Sequence, residues 1–88
     1  MMDLNEVRAG ITSIDIEIVK LLEKRFILAS HLGHYKKNHN LPVYDEIREN
    51  RVLELCRDAL ENKEYSKYID DIYHQIIKAS KDIQYNLG

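Results

Sequence analysis

From Leu4 to about Lys37, apolar residues recur at three-and-four spacing through Leu4, Val7, Ile11, Ile14, Ile18, Leu21, Leu22, Leu28, Ala29 and Leu32, with no proline among them. The pattern predicts one uninterrupted helix. At 1.5 Å per residue such a helix spans roughly 50 Å, whereas a small domain is about 30 Å across. The whole chain has 88 residues, so the rest of it is too short to cover that rod. Part of the stripe must find a partner outside its own globule, and two long helices packed side by side in a dimer are the simplest solution. Ile16 and Ile27 lie off the main stripe, which predicts cover on more than one side.

Two shorter helices follow. Asn38, Asn40 and Pro42 mark the end of the first, because Asn tolerates a left-handed cap and Pro biases Leu41 away from helix. Asp45 is a good N-cap for a second helix running to about Glu61. The stretch "ENKEYS" reads as the next turn, and the third helix covers about Ser66 to Tyr85. Its apolar face predicts burial of Tyr65, Tyr68, Ile69, Ile72, Tyr73, Ile76, Ala79 and Ile83. The chain is expected to be all-α, a single domain over residues 1–88.

Composition narrows the function classes. With 44% hydrophobic and 32% charged residues and a net charge of -2, nothing global suggests nucleic acid, whose binders carry a basic excess. No run approaches the roughly 18 apolar residues of a membrane span, and Asp3, Glu6 and Arg8 interrupt any leader-like segment. The single Cys56 has no intrachain partner and falls on an apolar face, which favours a reduced compartment. A cytoplasmic protein is expected. His31 and His34 are one turn apart but project from the polar side without a suitably spaced carboxylate or Cys, so neither metal nor cofactor is expected.

The sharper signal is charge in the wrong place. In "PVYDEIRENRVLEL" the second helix buries Val52, Leu53, Leu55, Cys56, Ala59 and Leu60, yet its first turn aims Asp45, Arg48 and Glu49 at the apolar side while Ile47 points away. The first helix repeats the oddity. Arg25 and Lys36 project within about 40° of Ile11, with Arg8 and Asp15 at the stripe's edge. On the third helix Ser80 and Gln84 flank Tyr73 and Ile77. Local pairing of Arg48 with Asp45 or Glu49, or of Arg8 with Asp15, is the structural alternative. Four cations still outnumber at most three acids, which points to a pocket for a small anion, most simply a dicarboxylate. Arg25 and Lys36 are roughly 16 Å apart along one face and can converge on one metabolite. Arg8 lies roughly 25 Å from Arg25, so if it serves the same site it must come from a second subunit.

In order and spacing, "LNEVRAGITSIDIEIVKLLEKR", "LGHYKK", "PVYDEIRE" and "IIKASKDIQ" resemble the all-helical chorismate mutases, the AroQ class. The resemblance covers nearly the whole chain. It implies an intertwined homodimer of three-helix chains with two equivalent sites that convert chorismate to prephenate. It also implies that Arg8 from one subunit and Arg25 from the other grip substrate carboxylates. Lys36 would contact a carboxylate and the ether oxygen, and Gln84 would be the second donor to that oxygen. Glu49 and the Asp45 backbone would receive the ring hydroxyl, Arg48 would order that corner and Ser80 would help hold the ring carboxylate. Thr12 departs from the family pattern where an Asp is common, and Gly10 interrupts the helix at a cost of about 1 kcal/mol. Two readings compete: an isochorismate pyruvate lyase with a related basic pocket, and a non-catalytic helical dimer that senses a metabolite.

Overall fold

Asp3 opens the first helix, α1 (Leu4–Asn38), by accepting the Glu6 backbone N–H on its carboxylate at 2.8 Å. The computed structural model of the chain describes residues 3–87; the ends of the expected 1–88 domain lie outside them. α1 runs unbroken for 35 residues, through Gly10. It closes as the asparagines predict. Asn40 takes a left-handed φ of 56°, the Leu41 N–H reaches back to the Lys36 carbonyl at 2.8 Å and the Asn40 N–H to that of Lys37 at 3.4 Å. This is a Schellman closure, and it satisfies carbonyls that a helix end otherwise leaves bare.

α2 (Glu46–Asp58) begins where its cap predicts, with the Asp45 carboxylate accepting the Arg48 N–H at 3.0 Å. It stops before the expected Glu61. The Lys63 ammonium donates to the Arg57 and Asp58 carbonyls at 3.0 and 2.8 Å, capping the helix end from beyond the turn. A 3-10 turn (Lys63–Tyr65), capped by Asn62, leads into α3 (Ser66–Tyr85). All regular structure among the described residues is helical.

α3 is the centre of the arrangement: it packs on α1 and on α2, and the Arg57–Asp70 pair at 2.9 Å ties α2 to it. On α1 the buried residues, Ala29 and Gly33, lie in the C-terminal half. The chain measures 56 × 26 × 15 Å with a radius of gyration of 16.1 Å. About 12 Å is usual for a compact chain of this length. Elongation leaves little inside, and among the described residues Ala29, Leu53 and Ile77 are the buried apolar side chains. The N-terminal stripe of α1 (Leu4, Val7, Ile11, Ile14, Ile18, Leu21) is exposed throughout.

Three residues expected in the core of α3 are not there: Tyr65, Tyr68 and Ile72 are 55%, 61% and 54% exposed. The apolar arc of α3 is wider than the face that meets α1 and α2. That face centres on Ile77, Ser80 and Gln84, with Ile69, Tyr73, Ile76, Ala79 and Ile83 half-buried beside it. Leu55 of α2 is likewise exposed, and Cys56 is a half-buried free thiol. No helix of the described residues is long and apolar enough to cross a membrane.

Candidate active site

The C-terminal half of α1, the 41–45 segment, the start of α2 and the end of α3 enclose a cleft of about 270 Å³. That is near the lower end of the range for small-ligand sites. Leu28, Ala29, Leu32, Val52 and Ile77 give it an apolar wall. Seven of the eight residues singled out from sequence line it: Arg25, Lys36, Asp45, Arg48, Glu49, Ser80 and Gln84. Arg8 does not, being exposed on the far half of α1.

Lys36, Arg25, Ser80 and Gln84 each make a specific hydrogen bond within the chain. The Lys36 ammonium donates to the Val43 carbonyl at 2.8 Å, which fixes it against the segment entering α2. Two of its three N–H groups remain for other acceptors. The Arg25 guanidinium crosses from α1 to α3 and donates to Ser80 Oγ, whose own proton goes to the Ile76 carbonyl at 3.0 Å. Ser80 therefore acts here as the seat of Arg25. Gln84 Nε2 donates to the Ser80 carbonyl at 3.2 Å, while its Oε1 is buried without a partner. An orphaned buried acceptor costs about 1–3 kcal/mol, a cost more common at functional sites than in ordinary cores.

The local neutralisation allowed by the sequence does not occur. Asp45 uses its carboxylate on the Arg48 backbone, and Glu49 pairs with Lys81 on α3 at 3.1 Å. Among the described residues, Arg25, Lys36 and Arg48 have no carboxylate within ion-pair distance, and neither does Arg8. Burial raises the Tyr73 phenol above its ordinary 10.0, with Cys56 adding to the rise and Arg25 partly opposing it. Tyr73 stays neutral through the physiological range and supplies no anion to Arg25. The cleft wall carries four cations against two carboxylates, so it favours a guest with about two negative charges.

Two residues were missed from sequence. Lys81 lines the cleft, although it looks like an ordinary surface lysine in the helical pattern. Gly33 lets α1 and α3 approach: a Cβ there would lie 2.6 Å from Leu87 Cδ1 and 3.0 and 3.1 Å from Gln84 Cγ and Cα. The available signal was Ala29 and Gly33, two small residues one turn apart on the apolar face. Gly33→Ala is expected to lower stability by up to about 2 kcal/mol, the usual cost of overpacking less the roughly 1 kcal/mol of helix propensity that Ala gains over Gly, with an earlier midpoint in urea unfolding. A later midpoint would mean that Gln84 and Leu87 give way at this contact.

The site is thus an apolar, cation-rich cleft on an all-helical chain, the character suited to a small anion. Residues 7–85 match the family model of chorismate mutase type II, and the chain belongs to that family. It is 33% identical over 81 residues to the T-protein of Haemophilus influenzae, covering 91% of this chain and 22% of that protein. Against the bifunctional chorismate mutase/prephenate dehydratase of Aquifex aeolicus it is 32% identical over 88 residues, covering 96% and 24%. The chain thus spans less than a quarter of the length of these curated relatives. Its fold matches a solved structure, a conserved hypothetical protein from Pyrococcus furiosus, with a TM-score of 0.76 and 36% identity over 92% of this chain and 93% of that one.

Proposed function

We propose that the chain is a chorismate mutase, an isomerase that rearranges chorismate to prephenate in the cytoplasm, on the route to phenylalanine and tyrosine. The observation that carries this reading is the trio Arg25, Lys36 and Arg48, which line one apolar cleft without carboxylate partners among the described residues. Chorismate is a dianion with an ether oxygen and a ring hydroxyl. In the rearrangement its C–O bond breaks as a C–C bond forms, within one cyclic transition state. Neither a nucleophile nor a general base is required.

The protein's part is to bind and to stabilise charge. Arg25, seated on Ser80, grips one carboxylate, and the partner subunit's Arg8 grips the other, holding the enolpyruvyl arm over the ring. Lys36 and Gln84 donate to the ether oxygen as negative charge grows there. Glu49 and the Asp45 backbone receive the ring hydroxyl, and Arg48 orders that corner. Ser80 reaches the ring carboxylate by turning its proton away from Ile76.

A homodimer through α1 is part of the same proposal. If two α1 helices lie antiparallel with their two-fold axis near Ile16 and Glu17, each Arg8 falls opposite the other subunit's Arg25. The exposed stripe from Leu4 to Leu28 is then covered.

Purified protein should consume chorismate, followed by its absorbance, and yield prephenate. Pyruvate release from isochorismate instead would identify a lyase. Binding of a bicyclic transition-state mimic without turnover would identify a sensor. Gln84 adds a pH signature. A neutral amide donates at any pH, so wild-type activity should stay broad through neutrality, whereas Gln84→Glu must be protonated to donate and should work only in acid. A sharp wild-type loss between about pH 5 and 7 would remove Gln84 from this role.

A further inference from the structure

Lys81 enters the cleft wall from α3, between Ser80 and Gln84 in sequence. Its ammonium lies 3.1 Å from Glu49 Oε2 and 4.9 Å from the centre of the Tyr44 ring, inside cation–π range. The Lys81 and Glu49 side chains are 28% and 25% exposed, more covered than the local pairs Arg51–Glu54 and Lys78–Asp82. Among the described residues this is the ion pair that faces the cleft.

Glu49 poses an electrostatic problem. A carboxylate in a cleft that receives a dianion repels it, and more strongly as water is excluded. The nearest cation along its own helix, Arg48, does not pair with it. Lys81 does, and from a different helix. It engages Oε2 and leaves the other oxygen to accept from a hydroxyl.

We propose that Lys81 is a positioning residue: it balances the charge of Glu49 and fixes its orientation, so that the cleft admits a dianion and reads its hydroxyl. This rests on the chorismate mutase reading. Repulsion from an unbalanced carboxylate acts alike on bound substrate and transition state, so its signature is in KM.

Steady-state kinetics with chorismate should compare the wild type with Lys81→Met, Lys81→Arg and the double variant Lys81→Met, Glu49→Gln, with helicity checked by circular dichroism. Lys81→Met is expected to raise KM about tenfold and change kcat less than about threefold. Lys81→Arg should restore KM, because it keeps the charge. Adding Glu49→Gln to Lys81→Met should lower KM again, since it removes the uncompensated charge; a purely structural lysine gives no such reversal. Lys81→Gln replaces Lys81→Met if the latter does not fold. A wild type that turns over chorismate alongside a Lys81→Met variant of unchanged KM overturns the role of Lys81 alone, as does a double variant no better than the single. Absence of turnover in the wild type overturns the enzyme reading and this inference with it.

Discussion

Lys36→Ala is expected to lower kcat for chorismate at least a hundredfold while leaving the helices in place. Lys36 lies in the last turn of α1, its carbonyl capped by Leu41 and its ammonium fixed on the Val43 carbonyl. A donor held in advance needs no reorganisation when charge develops on the ether oxygen, and one such donor is worth about 3–4 kcal/mol. Removing it also frees the Val43 carbonyl. That residue is only half-buried, so water can replace the lost donor and the structural penalty is about 0.5–1.5 kcal/mol. The two effects separate in measurement: kcat at saturating chorismate reads the first, and thermal unfolding followed by circular dichroism reads the second. Lys36→Arg should recover little, because a planar fork cannot place one N–H where a compact ammonium does. A loss below about tenfold with the fold intact would take Lys36 away from the ether oxygen.

Where the signal was local along the chain, sequence and structure agree. Asp45 caps α2 and Asn40 takes the left-handed turn because each acts on backbone groups within a few residues of itself. Inward-facing Arg25, Lys36, Arg48 and Glu49 were legible because helical periodicity fixes which side of a helix a residue occupies. It does not fix how two helices rotate against each other. That rotation decides that Glu49 meets Lys81 across α2 and α3, that Gly33 faces α3 with no room for a Cβ, and that Tyr65, Tyr68 and Ile72 fall outside the packed face. The early end of α2 was hidden for a related reason. Its carbonyls are capped by Lys63, a residue beyond the turn whose side chain folds back.

Mixing Arg8→Ala with Arg25→Ala should regenerate activity that neither variant has alone. On the proposed reading each removes a charge-assisted grip on a substrate carboxylate, an interaction whose truncation costs about 2–5 kcal/mol, so each pure variant should lose roughly a hundredfold or more in kcat/KM. The outcome of mixing depends on topology. If Arg8 crosses the dimer, a mixed dimer has one site with both arginines and one with neither. Random exchange makes about half the dimers mixed, so about a quarter of the sites, and of the wild-type activity, should return. If both arginines served a site within one chain, every site in the mixture would lack one of them and nothing would return. The described chain favours the first outcome, because Arg8 and Arg25 are separated by 17 residues of one continuous helix that no bend can shorten. The same experiment tests why α1 is so long. Its N-terminal half is exposed in the chain, and on this reading it covers the partner's stripe and delivers the guanidinium that completes the partner's site.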